Sequence, residues 1–164
     1  MKRLKINISG GCETKWIGNG DFQSDNFRMI YAGGEKHKRS IGILLDEERN
    51  NGPTGHWQIT ERIMLVKLKG NPLNTSIKMV YAPTSDSADE EIEEFYDTLD
   101  KPKAQCKSRN IIIVMGDLNT KVGNKGEEVV VGNYGLGERN DRGERWVQWW
   151  AANDLVITNT WFEE

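Results

Sequence analysis

Cysteine is scarce: Cys12 and Cys106 are the only two in 164 residues. They are too few and too far apart for a disulfide framework, and neither stands in a C-x-x-C spacing that would hold zinc. That points to a reduced, intracellular compartment. Long apolar runs are missing as well. The longest, Ile111 to Met115, falls far short of the roughly 20 residues needed to cross a bilayer. Met1 to Gly11 lacks the continuous apolar core of a signal peptide, so nothing in the sequence addresses the chain to a membrane. Excess positive charge is absent too. At a formal net charge of -3, any contact with nucleic acid has to come from local basic patches or through a metal ion.

What remains is the balance of a globular domain, with 37% hydrophobic and 29% charged side chains and no repeat, linker or low-complexity tract, so residues 1–164 read as a single domain. Leu4, Ile6 and Ile8 alternate with Lys5, Asn7 and Ser9, the two-residue period of a half-buried strand, and Gly10-Gly11 breaks it just before Glu13. Phe27 to Ala32, Ile41 to Leu45, Ile63 to Leu68 and Ile77 to Ala82 are further short apolar segments between turn-forming clusters, which implies a sheet. From Ala88 to Leu99, Ile92, Phe95, Tyr96 and Leu99 recur at helical spacing among acidic residues, with Asp89 or Ser87 as candidate caps. Ile111 to Met115 is uninterrupted and β-branched, which predicts a central strand buried on both faces. Gly123 to Gly143 reads as an exposed, mobile loop. Arg145 to Ala152 follows as a helix, and Leu155 to Thr158 as a strand. In that helix Trp146 and Trp150 share a packing face, with Trp149 nearer the surface. The order fits a mixed α/β layered domain.

The chemistry concentrates at strand ends. Ile111 to Met115 delivers Gly116-Asp117-Leu118-Asn119, and in extended chain the Asp117 and Asn119 side chains point the same way. Asp117 can hold a hard cation or polarise a water, and Asn119 can hydrogen-bond a phosphate oxygen, although both also suit a turn that caps local amides. Two other predicted strand ends carry matching groups. Glu13 offers an oxygen ligand for Mg²⁺, and Tyr81 a phenol that can donate to a phosphorane oxyanion. Taken singly, Glu13 suits a solvated loop and Tyr81 a core edge. His37 lies in the basic run Lys36-His37-Lys38-Arg39 and His56 in a Gly-Pro-Thr-Gly turn, which are solvated settings. The basic run suits a solvated hairpin tip, or contacts to a DNA backbone without sequence readout.

Glu13-Thr14-Lys15-Trp16, Tyr81-Ala82-Pro83-Thr84, Gly116-Asp117-Leu118-Asn119, Tyr134-Gly135-Leu136-Gly137-Glu138-Arg139-Asn140 and Asn159-Thr160-Trp161-Phe162 together resemble the endonuclease/exonuclease/phosphatase superfamily. Within it they are most similar to endonuclease domains of RTE-type non-long-terminal-repeat retrotransposons. The motifs occur in the family's order and span nearly the whole chain. The resemblance implies a DNase I-like two-sheet α/β sandwich, here incomplete, and Mg²⁺- or Mn²⁺-dependent hydrolysis of DNA phosphodiesters, with DNA as partner and the nucleus as place of action. It makes Glu13 a metal ligand. It makes Tyr81, Asp117 and Asn119 catalytic, and Asn140 and Thr84 substrate-side contacts.

Two pieces of the family pattern are not among these residues: an N-terminal strand bearing an asparagine, expected before residue 1, and C-terminal strands ending in Ser-Asp-His, expected after Glu164. The chain alone is therefore expected to turn over little or nothing. The alternative reading is a non-catalytic remnant that binds DNA or a protein partner. An uncovered apolar sheet edge is the expected structural consequence.

Overall fold

The structure, a computed structural model, describes residues 1–101, 109–127 and 129–163, so Cys106 lies outside the described residues. The chain packs as two compact units, Met1–Leu118 and Asn119–Glu164.

In the first unit, β1 (Ile8–Cys12), β2 (Asn19–Ser24), β3 (Phe27–Ala32) and β4 (Ile41–Leu45) form a sheet in the order β1-β4-β3-β2. Every pair in it is antiparallel. A second four-stranded sheet runs β5-β6-β7-β8, from β5 (Pro53–Thr60), β6 (Ile63–Leu68), β7 (Thr75–Tyr81) and β8 (Ile111–Asp117). Only the β7–β8 pair is parallel. A parallel neighbour needs a crossover, and the helix α1 (Asp89–Asp100) lies on that crossover.

Ile30, Ala32, Ile41, Ile43 and Leu45 of the first sheet share one core with Met64, Val66, Leu68, Ile77, Met79 and Tyr81 of the second. Along each strand these residues recur every second position, so the two inner faces meet in a two-sheet α/β sandwich, as the sequence implies. The outer face of the second sheet is apolar too: Ile63 and Leu65 are buried, as are Ile92, Phe95 and Leu99 of α1. Lys78, on the outer face of β7, donates its ammonium to the Leu99 carbonyl at 3.2 Å and pins the helix end there.

Several expectations need correction. β1 begins at Ile8 and runs through Gly10-Gly11, while Lys2–Leu4 is a 3-10 turn. The glycines do not end the strand. A side chain at Gly10 would come within 2.8 Å of Met79 Sδ, so its absence makes room for the opposite sheet. β2 and β5 carry polar, mostly exposed faces and escaped the apolar pattern. α1 starts after Ala88 with no side-chain cap, rather than on Asp89 or Ser87. The largest correction concerns β8, which among the described residues is an edge strand paired only with β7. Ile111, Ile112 and Ile113 remain 48%, 36% and 39% exposed. A continuous apolar run reports two apolar faces, and it cannot report whether anything closes over them.

In the second unit, α2 (Asp141–Ala152) starts earlier than its apolar spacing suggests, because Asn140 caps it. Trp146, Trp149 and Trp150 are all buried, and Trp149 stacks on Trp146 at 5.2 Å instead of lying at the surface. The glycine-rich segment before α2 is not a loose loop. Arg139 Nε donates to the Val122 carbonyl at 2.8 Å, and its guanidinium also reaches Glu127 and Glu144. Ile157 makes an isolated bridge to Val131 and Thr158–Thr160 is a 3-10 turn, so the expected strand at Leu155–Thr158 does not form.

Gly116 has φ of +142°, and a Cβ there would lie 1.8 Å from the Val80 carbonyl oxygen. Gly116→Ala is therefore expected to cost roughly 2–5 kcal/mol, combining backbone strain with overpacking. Urea unfolding checks this, and a loss under about 1 kcal/mol would show that β8 does not sit against β7 as described.

Candidate active site

Three strands of the first unit end at one rim. β1 ends at Cys12, and the backbone then turns through left-handed conformations at Glu13 (φ 55°) and Lys15 (φ 60°). Such angles are uncommon for residues with a Cβ and mark a place where surrounding structure dictates the chain path. The Thr14 amide donates to the Ser40 carbonyl at 3.3 Å and holds that turn against the end of the β3–β4 connection. β7 ends at Tyr81, and the parallel register sets Asp117, the last residue of β8, directly beside it. The Ala82 amide donates to the Asp117 carbonyl at 2.8 Å, so the pairing extends one residue past the strand.

The side chains then meet. Tyr81 Oη donates to Glu13 Oε1 at 2.6 Å. Beneath them lies Cys12, whose Sγ donates to the Val80 carbonyl at 3.5 Å and faces the Asp117 amide at 3.3 Å. Glu13 thus meets Tyr81 side chain to side chain, and Asp117 stands beside Tyr81 in the register with its backbone amide at the Cys12 sulfur, although the three lie far apart in sequence. The electrostatics agree with the geometry. The hydrogen bond to Glu13 holds the Tyr81 phenol above its ordinary value, burial and the negative charges of Glu13 and Asp117 add to this, and Arg62 opposes it. Burial likewise pushes the Cys12 thiol up, offset by the Asp117 amide and reinforced by the Asp117 and Glu13 charges. Both carboxylates therefore act on both neighbours.

Sequence reasoning missed two members of this arrangement. One is Cys12, which its spacing in the sequence presents only as unsuited to a disulfide or a zinc site. Arg62 sits in the turn between β5 and β6 and is 9% exposed. Its Nη1 donates to the Tyr81 and Ala82 carbonyls at 3.2 and 3.4 Å, and its Nη2 to Glu91 Oε1 on α1 at 2.6 Å. The guanidinium lies 5.4 Å from the Tyr81 ring centroid. The sequence signal is an arginine set directly before a strand whose first four residues, Ile63 to Val66, are apolar, where burying a cation requires partners.

The remaining candidates are placed differently. Thr84 is exposed in the connection after β7, its carbonyl accepting from the Ser87 amide at 3.1 Å. Asn119 and Asn140 belong to the second unit. Asn119 has φ of 46°, so the chain leaves extended conformation after Asp117 and the expected alternation between the two side chains does not apply. Asn140 Oδ1 accepts from the Gly143 amide at 2.8 Å, Thr120 Oγ1 at 3.2 Å and the Lys121 amide at 3.4 Å, which commits its carbonyl to capping α2. His37 has Nδ1 2.7 Å from the Lys15 carbonyl. His56 is on β5, not in a turn, and lies 3.5 Å from Asp21.

The donor set can be tested against Mg²⁺, which favours one or two carboxylates completed by waters and substrate phosphates over an all-protein cage. Glu13 and Asp117 supply such a pair. Among the described residues no group of three or more His, Cys, Asp or Glu that could hold a metal ion gathers.

No protein-family model matches this chain. It is 32% identical to craniofacial development protein 2 of Bos taurus and 30% identical to that of Tragulus javanicus, each over its full length. It spans only 28% and 29% of those proteins. Among solved structures it is similar to the endonuclease domain of TRAS1, a telomere-specific non-LTR retrotransposon, with a TM-score of 0.56 and 17% identity, covering 92% of this chain and 60% of that one. The chain therefore has a DNase I-like two-sheet α/β sandwich fold and is similar over its whole length to part of craniofacial development protein 2.

Proposed function

We propose that the rim formed by Glu13, Tyr81 and Asp117 is the phosphodiesterase site of a DNA endonuclease-like domain that uses Mg²⁺ or Mn²⁺. The observation that carries this reading is the hydrogen bond from the Tyr81 phenol to the Glu13 carboxylate, together with the strand register that sets Asp117 beside Tyr81. Glu13, with Asp117 beside it, would hold the cation. When bound, that ion supplies positive charge against the developing negative charge of the phosphate. Tyr81 keeps its proton to high pH and so remains a donor to a phosphate oxygen throughout the physiological range. Asp117, exposed at the end of β8, accepts the proton of the attacking water. A substrate-side hydrogen bond from Thr84 and a nuclear place of action belong to the same proposal.

The exposed isoleucines of β8 favour a second reading, a non-catalytic domain that binds DNA or a protein through its open edge.

Incubation of the chain with supercoiled plasmid and Mg²⁺ or Mn²⁺ is expected to give slow nicking that falls about 10²–10⁴-fold in Asp117→Ala. Nicking indifferent to that substitution would overturn the site, whereas fast nicking by the unaltered chain would overturn the expected impairment. DNA binding with no nicking at all would favour the second reading.

The Tyr81–Glu13 bond has its own consequence. A phenol whose folded pKa lies above its unfolded value of about 10 contributes stability that is fully present below pH 10 and is lost as pH rises through the folded value, because the unfolded chain then binds fewer protons. Glu13→Gln removes the principal cause, so the Tyr81 phenol should titrate lower and the loss of stability above pH 10 should shrink. Tyrosine ¹³Cζ shifts followed by NMR report the titration. An unmoved Tyr81 resonance would mean that the bond is not formed in solution.

A further inference from the structure

The loop that leaves Glu13 continues into a second feature of the first unit. Trp16 packs its ring edge-on to Tyr31 at 4.9 Å and tilted against Phe22 at 5.7 Å, and Phe22 meets Tyr31 at 6.3 Å. Backbone spaces shape this trio. The Tyr31 ring lies across Gly20, where a Cβ would come within 2.4 Å of it, and the Trp16 carbonyl fills the place of a Cβ on Gly33 at 2.2 Å. Three aromatic rings so supported would ordinarily be core, yet Trp16 and Phe22 stay 41% and 44% exposed. They open onto a cleft of about 400 Å³ lined by Lys15, Trp16, Ile17, Phe22, Tyr31 and His37.

The surrounding charge says what chemistry suits the cleft. Lys15 and His37 stand in its wall. The 2.7 Å approach of His37 Nδ1 to the Lys15 carbonyl ties the basic run to the aromatic loop. Lys36 and Lys38, on either side of His37 in the sequence, line a second notch with Arg39, Gln58 and the carboxylates Glu35 and Glu61. Arg39 is engaged with Glu61 and Glu91 at 3.1 and 3.2 Å, which neutralises those carboxylates, while Lys36 and Lys38 line the notch and Lys15 the cleft. Exposed ring faces beside ammonium groups fit a nucleotide: the base stacks on a ring and its phosphates meet the lysines. Only an unpaired base has faces to offer, since in a duplex both are covered by neighbours.

We propose that Trp16 and Phe22, framed by Lys15 and His37, form a stacking subsite for an unpaired nucleotide, with Lys36 and Lys38 taking the adjoining phosphates. Its placement beside a scissile phosphate rests on the endonuclease reading, because Trp16 lies three residues from Glu13. The consequence is a preference for DNA that presents single-stranded or extruded nucleotides near the cleavage point, rather than for a continuous duplex.

Fluorescence anisotropy on the full chain tests this in EDTA, with a labelled oligothymidylate of about ten nucleotides and an abasic strand of the same length and phosphate count. The chain is expected to prefer oligothymidylate. Trp16→Ala should weaken that binding roughly tenfold while leaving the abasic strand unaffected, and Trp16→Phe should restore most of it. A combined Lys36→Ala and Lys38→Ala variant should weaken both strands and flatten the salt dependence. Equal affinity for the two strands, or a Trp16→Phe chain that behaves like Trp16→Ala, overturns the stacking subsite. Stacking that depends on Trp16 in a chain that no divalent ion turns into a nuclease would leave the subsite standing and remove the nuclease reading. Nicking that needs Asp117 but shows no base preference would do the reverse.

Discussion

The contact on which the rest depends is the hydrogen bond from the Tyr81 phenol to the Glu13 carboxylate, because it joins the end of a strand in one sheet to the loop leaving a strand in the other. A carboxylate held by a phenol at 2.6 Å is a charge-assisted bond, shorter and stronger than a neutral one. It forms only because the apolar interior fixes the distance between the sheets. Ile30, Ile43, Met64 and Met79 fill that interior, and Gly10 leaves the space into which Met79 fits. Packing therefore sets the height of the rim, and the rim sets which polar groups meet. Arg62 secures the same corner from outside, binding the carbonyls at the end of β7 to Glu91 on α1.

Much of this was legible in the sequence, for identifiable reasons. β3, β4 and β6 are short apolar runs with turn residues between them and formed where their pattern placed them, while β7 runs Thr75–Tyr81 rather than Ile77 to Ala82. Glu13, Tyr81 and Asp117 could be read as strand-end residues, and the structure brings these three together. What could not be read depends on long-range pairing. β8 shows the same unbroken apolar pattern whether it is central or at an edge, and only its position in the sheet decides. β2 and β5 keep few apolar residues because their faces are largely exposed, so periodicity gave no signal. Asn119 follows the strand by two residues, but its left-handed backbone cancels the alternation that extended chain would impose.

The second unit shows a similar limit. A segment rich in glycine and charge looks unstructured when each residue is weighed alone. Here Arg139 collects the Val122 carbonyl and the Glu127 and Glu144 carboxylates, so the charges act as the segment's internal fastenings. Asn140 likewise draws its donors from Thr120, Lys121 and Gly143, making a motif residue into a helix cap. Composition describes what a loop is made of, and only partner identity distinguishes a solvated charge from a fastened one.

The central claim is that Glu13, Tyr81 and Asp117 surround a single cation-binding position. Paramagnetic relaxation tests it most directly. Substoichiometric Mn²⁺ added to chain labelled at tyrosine ¹³Cζ should broaden the Tyr81 resonance ahead of those of Tyr31, Tyr96 and Tyr134, and Asp117→Asn should abolish that selectivity. Broadening that spares Tyr81, or that persists unchanged in Asp117→Asn, would contradict the account.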